Sequence, residues 1–85
     1  MRHYHKEKKE CDFIVREGNQ IIQAIQVTTS LTDEKERTRE IEGLTEAMEM
    51  YHLQEGTILT ENEQETIEVN GFTIHVIPIW KWLIT

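Results

Sequence analysis

Several residue types are scarce in this 85-residue chain, and each shortage excludes a class of protein. A single cysteine cannot form an intrachain disulfide, which fits a reducing cytoplasm. One proline and four glycines leave no room for a flexible linker. No apolar run approaches the ~20 residues of a membrane span, and no signal-peptide pattern opens the chain. We therefore expect one small cytoplasmic domain over residues 1–85, with no membrane contact.

Basic residues are also scarce, because 9 Lys and Arg stand against 16 Asp and Glu, for a net charge of -7. Residues 1–16 carry five basic and three acidic groups (net +2), and the rest carries four and thirteen (net -9). Such an acidic body is a poor nonspecific nucleic-acid binder, since phosphate contacts depend on Lys and Arg. The candidates for contact with nucleic acid or a partner are Lys6, Lys8, Lys9, Arg16, Arg37 and Arg39. Local ion pairing, such as Asp33 with Arg37, is the commoner role of such charges.

Three strands are predicted before a long helix, at residues 3–6, 10–17 and 21–29, with the second turn at Gly18-Asn19. A three-residue loop between Glu17 and Ile21 fits the apolar pattern, because a one-residue slip would flip every side chain. One face then holds Cys11, Phe13, Val15, Ile21, Ile25 and Val27, interrupted only by Gln23, and the other holds Glu10, Asp12, Ile14, Arg16, Ile22, Ala24, Gln26 and Thr28. This register sets Asp12 opposite Gln26 and Glu10 opposite Thr28.

The long helix is predicted to begin near Asp33, where Asp33 and Glu36 resemble a capping box. Its first two turns, residues 33–40, contain no apolar residue and should project past the core. Its later turns carry one apolar stripe, and Gly43 inside them indicates close packing on the sheet. The stripe consists of Ile41, Leu44, Ala47, Met48 and Tyr51.

The rest of the chain predicts a short buried strand at 56–60, a hairpin of strands 66–69 and 72–77, and a helix at 79–83 after Pro78. Asn70-Gly71 supplies the positive φ angles of a type I′ turn. The predicted fold class is α+β, a small mixed sheet with the order β-β-β-α-β-β-β-α. The strands before and after the long helix should be parallel neighbours.

Five segments of the chain share one known pattern. They are Tyr4-His5-Lys6, Lys9-Glu10-Cys11-Asp12-Phe13, Gln23-Ala24-Ile25-Gln26-Val27, Arg39-Glu40-Ile41-Glu42-Gly43-Leu44 and Val76-Ile77-Pro78-Ile79-Trp80-Lys81-Trp82-Leu83. Together they resemble the C-terminal domain, of unknown function, that follows a P-loop module in a large group of prokaryotic AAA-like ATPases. The resemblance covers almost the whole chain and implies a restriction-endonuclease-like core of the PD-(D/E)xK type.

Two features of that family are missing from this sequence. No segment matches G-x-x-x-x-G-K-[ST], so this chain cannot bind ATP through a P-loop. The helix that usually precedes the first strand of the nuclease-like core is absent as well. The resemblance therefore predicts a fragment or truncated C-terminal module of a longer ATPase, with the upstream ATPase module as its natural partner.

The resemblance also implies a metal site. In the nuclease pattern an Asp and a following Glu or Gln bind Mg²⁺, and a Lys two residues further on positions or activates the attacking water. Asp12 and Gln26 match the first two places, and uncharged Thr28 occupies the Lys place. Glu10 would add a carboxylate, and Lys6 or Lys8 would have to substitute for the missing Lys.

Because the Lys is missing and the Gln is neutral, we expect a non-catalytic module that binds nucleic acid or a protein partner for the attached ATPase. The alternatives are an active Mg²⁺-dependent nuclease that uses Asp12, Gln26 and Glu10, and a structural module that forms a homodimer through an uncovered sheet face or edge. Trp80 and Trp82 are candidates for a patch that docks onto the ATPase module, or equally for a plug of the small core.

Overall fold

A five-stranded mixed sheet carries a long helix on one face and a short helix on the other. The computed structural model describes residues 13–84. The elements are β1 (Phe13–Glu17), β2 (Gln20–Val27), α1 (Glu34–Met50), β3 (Glu55–Thr60), β4 (Glu65–Val69), β5 (Phe72–Pro78) and α2 (Ile79–Leu83). The small mixed α+β fold is thus confirmed, while the strand predicted at residues 3–6 lies outside the described part. None of the helices in residues 13–84 is long and apolar enough to cross a membrane.

The strand order is β1-β2-β3-β5-β4. The two outer pairs, β1 with β2 and β4 with β5, are antiparallel hairpins, whereas β3 runs parallel to both of its neighbours. Parallel strands need a crossover connection, and α1 supplies it between β2 and β3, as predicted. The carboxyl ends of β2, β3 and β5 consequently meet at one edge of the sheet.

The first hairpin corrects the predicted turn. Glu17 faces Gln20, so the loop contains only Gly18 and Asn19, and the prediction of a three-residue loop is wrong. Away from the turn the predicted register holds, since Phe13 faces Ile25. The pairing expected one step further, Asp12 with Gln26 and Glu10 with Thr28, involves residues outside the described range.

A β-bulge explains why the strand pairing at the turn differs by one residue from the pairing at Phe13 and Ile25. The shift between Val15 and Arg16 leaves Ile22 as an extra residue on β2. Because the bulge interrupts the in-and-out alternation of the strand, Ile21 packs against the core beneath α1. Its predicted place, on the face of Val15 and Ile25, is wrong for this reason.

The larger core lies between the sheet and α1. The predicted helical stripe is confirmed, since Leu44, Ala47 and Met48 are buried, with Ile41 and Tyr51 packed beside them. Gly56 of β3 lies directly under this stripe, where an added Cβ would come within 2.7 Å of the Met48 sulfur. The buried members are Ile14, Ala24, Leu31, Leu44, Ala47, Met48, Ile58, Ile74 and Val76.

The start of α1 is set by Asp33, whose side chain accepts a hydrogen bond from the Lys35 amide at 3.1 Å. The predicted N-terminus is therefore confirmed. The expectation that residues 33–40 project past the core is wrong at Glu40, which is only 8% exposed. The helix already lies against the sheet at this turn, because Gln26 of β2 contacts it there.

The Asn70-Gly71 turn has the predicted conformation, with φ values of 52° and 84° and Val69 facing Phe72. Positive φ at both central residues is the mark of a type I′ turn, which matches the twist of the two strands. The hairpin places its apolar residues against the core under α1, as its alternation predicts.

The sheet face opposite α1, called the second face below, has a much smaller core. Val15, Ile25 and Leu59 are its buried members, and Ile77 and Trp82 pack against them. The five-residue helix α2 is the element that packs on this face in the described part of the chain. Most of the apolar burial that stabilises the fold is therefore on the α1 side.

Candidate functional site

A group of polar side chains lies at the carboxyl ends of the parallel strands, on the α1 side. It comprises Gln26 and Thr28 from the end of β2 and Glu36, Arg39 and Glu40 from the first turns of α1. In open sheets with parallel strands, ligands usually bind in the crevice at the carboxyl ends of the strands. This location also contains two of the positions that the nuclease pattern singles out.

Gln26 is a structural link between β2 and α1. Like Ala24 it faces α1, and it is only 1% exposed. Its Nε2 donates a hydrogen bond to the backbone carbonyl of Glu40 at 3.3 Å. A buried amide needs such a partner, since an unpaired buried polar group costs roughly 1–3 kcal/mol. The amide nitrogen of Gln26 thus holds the helix onto the strand.

Glu36 and Glu40 form a carboxyl pair one helical turn apart. A hydrogen bond with Glu40, followed by one from the Arg39 guanidinium, holds the pKa of Glu36 below its ordinary value. Arg39 lies 3.0 Å from Glu36 Oε1 and 3.9 Å from Glu40 Oε2.

Thr28, at the position where the nuclease pattern has Lys, is engaged locally. Its hydroxyl donates to the Ser30 carbonyl at 3.4 Å, and its amide bonds to the Leu59 carbonyl at 2.9 Å. It is also the smallest of the influences that lower the pKa of Glu36. These contacts order the start of the loop after β2 and bring no positive charge to the site.

The loops at this edge are tied together by Glu63, which sequence reasoning missed. Its carboxylate accepts from the Ser30 hydroxyl at 2.6 Å and from the Leu31 amide at 2.8 Å. Buried Thr60 both donates to the Glu63 carbonyl and accepts from the Glu63 amide, each at 2.9 Å. The available signal was a threonine three residues before a glutamate, a spacing typical of local side-chain to backbone bonding.

The described residues do not fit a Mg²⁺ site. Mg²⁺ prefers carboxylate oxygens in near-octahedral geometry. Within residues 13–84, no group of three His, Cys, Asp or Glu side chains could hold a metal ion. Of the predicted set, this range contains only Gln26 and Thr28, which are neutral and donate to carbonyl oxygens. The predicted carboxylates Asp12 and Glu10, with Lys6, Lys8 and Lys9, lie outside it.

The three candidate arginines in this range are turned toward the protein itself. Arg37 forms two hydrogen bonds to Glu65 of β4, at 2.9 and 3.1 Å, and not the predicted local pair with Asp33. Asp33 is engaged as the cap of α1, where it accepts from the Lys35 amide, whereas the Glu65 carboxylate accepts both bonds of the guanidinium fork. Arg39 pairs with Glu36, and the Arg16 Nε donates to the Gly18 carbonyl at 3.1 Å. They do not form the basic patch that phosphate binding requires.

The Arg37–Glu65 pair makes a testable contribution to stability. Arg37 holds the pKa of Glu65 below its ordinary value of 4.5, mainly through the hydrogen bonds. This contribution is therefore present above pH 4.5 and is lost as the pH falls through the lowered pKa. Because both side chains are over a third exposed, we expect Glu65→Gln to cost less than about 1 kcal/mol at pH 7. Urea unfolding at pH 7 and pH 3 would measure it, with Glu68→Gln on the same strand as the control. An equal cost at both pH values would contradict the ion pair.

The two tryptophans of α2 have separate roles. Trp82 packs against the small core of the second face, as a core plug would. Trp80 is 55% exposed, together with Leu83 and Ile84 at the end of the helix. Trp82 therefore matches the predicted core plug, whereas Trp80 stays a candidate for the predicted docking patch.

Comparison with known proteins adds no relative, because no protein-family model, curated protein or solved structure gave a significant match to this chain.

Proposed function

We propose that this chain is a non-catalytic module with a restriction-endonuclease-like core that serves a cytoplasmic AAA-like ATPase by binding a protein partner. The sequence resemblance supports the family, and the lone cysteine supports the compartment. The observation that carries the non-catalytic assignment is the burial of Gln26, whose amide is bonded to the backbone of α1.

Catalysis at this position would need groups that reach the substrate. A metal-assisted nuclease binds its cation between carboxylates and stabilises the developing charge with a positioned cation. Gln26 is shielded from solvent, and Thr28 offers a hydroxyl that is bonded to the adjacent loop. The basic group that accompanies them, Arg39, pairs with Glu36. The site therefore works as a structural junction between β2 and α1.

A protein partner fits the charges better than nucleic acid does. Residues 13–84 carry thirteen acidic and five basic side chains. Arg37 and Arg39 are partly neutralised by carboxylates, and DNA would have to displace Glu65 and Glu36 to reach them. Since nucleic-acid affinity rests mainly on Lys and Arg contacts to phosphates, this part of the chain disfavours it.

A plasmid assay tests the proposal. Supercoiled DNA incubated with excess protein and Mg²⁺ or Mn²⁺ should remain uncut, and the Asp12→Ala variant should behave identically. Fluorescence anisotropy with the same protein should show only salt-sensitive binding to duplex DNA, with a dissociation constant of about 10⁻⁴–10⁻⁶ M or weaker. Cleavage by the wild-type chain that Asp12→Ala abolishes would establish the nuclease alternative and overturn the proposal.

A further inference from the structure

We propose that the apolar region of the second face, together with α2, is a docking site for an amphipathic segment of another protein in which apolar side chains are flanked by Lys or Arg. This inference rests on the proposed function, because it specifies the partner that the module binds. It is carried by three features of the second face: its apolar composition, its incomplete cover and its charge.

The apolar region follows from the alternation of the strands. Side chains that share a face with Val15 and Ile25 recur at every second position, and those at the amino end of β1 and at the carboxyl ends of β2, β3 and β5 are hydrophobic. The remaining part of the same face is polar. The apolar members are Phe13, Val15, Ile25, Val27, Leu59 and Ile77.

Within residues 13–84, the helix α2 covers this region only in part. Trp82 closes over Val15, Ile25 and Leu59, but Phe13 and Val27 on either side of Ile25 stay more than a third exposed. The helix adds its own exposed apolar side chains, with Leu83 at 69%. Large exposed apolar groups collected in one region mark interaction sites, whereas scattered ones do not. The exposed apolar members on and after α2 are Ile79, Trp80, Leu83 and Ile84.

The charge of the polar part of the second face, together with that of the loop beside α2, determines which partner fits. Glu17, Glu55 and Glu68 lie at second-face positions by strand alternation, and Glu61 is exposed in the loop beside α2. That loop adjoins the helix, because Lys81 donates to Gln64 Oε1 at 3.2 Å. A second copy of the chain would bring the same acids together, whereas Lys or Arg of a partner would complement them. Arginine would also stack favourably on Trp80.

Two synthetic peptides test this partner chemistry. One is an amphipathic Leu/Lys helix of about 16 residues, and the other has the same Leu positions with Glu in place of Lys. Titration followed by calorimetry and by ¹H–¹⁵N spectra should show at least tenfold tighter binding of the Leu/Lys peptide. The shifted amides should cluster at Phe13, Val27 and residues 79–84. Equal affinity for both peptides, or shifts centred on α1, would overturn the proposal.

Matched variants locate the site. Trp80→Ala combined with Leu83→Ala should weaken Leu/Lys binding at least tenfold, while Met50→Ala, which truncates an equally exposed side chain at the end of α1, should leave it unchanged. All these residues are more than half exposed, so the variants should unfold at the wild-type temperature, which the same samples verify. An equal loss with Met50→Ala would refute the assigned surface.

Sedimentation tests whether a second copy of the chain, instead of a different protein, occupies the docking site. The chain alone should remain monomeric from 10 to 500 µM, and a dimer abolished by Trp80→Ala would replace the proposed partner with a second copy. The failure of one proposal can be told apart from the failure of the other. If the plasmid stays uncut but the two peptides bind equally well, only the docking site is refuted. If the protein cleaves the plasmid and Asp12→Ala abolishes the cleavage, the non-catalytic function is refuted, whatever the result with the peptides.

Discussion

Replacing Gly56 by alanine is expected to lower the free energy of unfolding by about 1–3 kcal/mol. The new Cβ would lie 2.7 Å from the Met48 sulfur and 3.0 Å from Leu44 Cδ2. Met48 and Leu44 are both completely buried, so they have no open space into which to withdraw. The helix would have to move away from β3, or its side chains would have to leave their preferred rotamers. Urea denaturation of the wild type and the variant measures the loss.

A double-mutant cycle distinguishes crowding from other causes. Met48→Ala alone should cost about 2–5 kcal/mol through the cavity that it leaves. In the Gly56→Ala, Met48→Ala variant the new methyl group occupies part of that cavity, so the two costs should sum to more than the observed loss, by about 0.5–3 kcal/mol. Thr66→Ala, at an exposed position of β4, is the control and should stay within about 0.5 kcal/mol of wild type. Strict additivity of the two core changes would refute the close contact.

The second large effect is expected at Gln26. Gln26→Glu restores the acid of the nuclease pattern, but the ionised carboxylate would lose the donor that now bonds to the Glu40 carbonyl and would face that oxygen in the buried core. We expect a loss of about 3 kcal/mol at pH 7, the scale of an uncompensated buried charge. Burial raises the pKa of the new carboxyl above its unfolded value of about 4.3. Stability should therefore fall as the pH rises above about 4.3 and level off above the raised pKa.

Gln26→Leu is the matched control for this change. Leucine has a similar volume and no charge. The substitution should therefore lower the free energy of unfolding by only about 1–3 kcal/mol, because the Glu40 carbonyl loses its donor, and it should add no pH dependence. Thermal unfolding of both variants between pH 4 and pH 8 makes the comparison. Equal stability of the two variants at pH 7 would contradict the structural role of Gln26. If millimolar Mg²⁺ selectively stabilised the Glu variant, the metal-site interpretation would regain support, since a ligand stabilises the state that binds it.

The sequence predicted those elements whose signals are local. Asn70-Gly71 specifies its hairpin because few residue pairs tolerate two positive φ angles. The apolar stripe that includes Leu44 and Met48 specifies the buried face of α1. The connection of β2 to β3 through a long helix predicts their parallel pairing, which the structure confirms.

The predictions that were wrong concern places where two local structures fit the same few residues equally well, or where a contact joins distant parts of the chain. A three-residue loop and a two-residue loop followed by a bulge at Ile22 give the same register at Phe13, so the apolar pattern could not separate them. At the candidate site, the pattern located Gln26 but could not reveal its bond to the Glu40 backbone, because backbone acceptors have no sequence signature. The pairing of Arg37 with Glu65 likewise depends on two elements that are 28 residues apart along the chain.

The placement of the parallel strands has a consequence for how the chain folds. The hairpins β1–β2 and β4–β5 close over turns of two residues, so each can form within about 1–10 µs by itself. Strand β3 pairs with β2 only across the long connection that contains α1, and closing such a loop is entropically costly before its contacts form. The assembly of the sheet therefore depends on β3, whose only glycine lies under Met48. A side chain at that glycine would therefore crowd the strand that links the two hairpins.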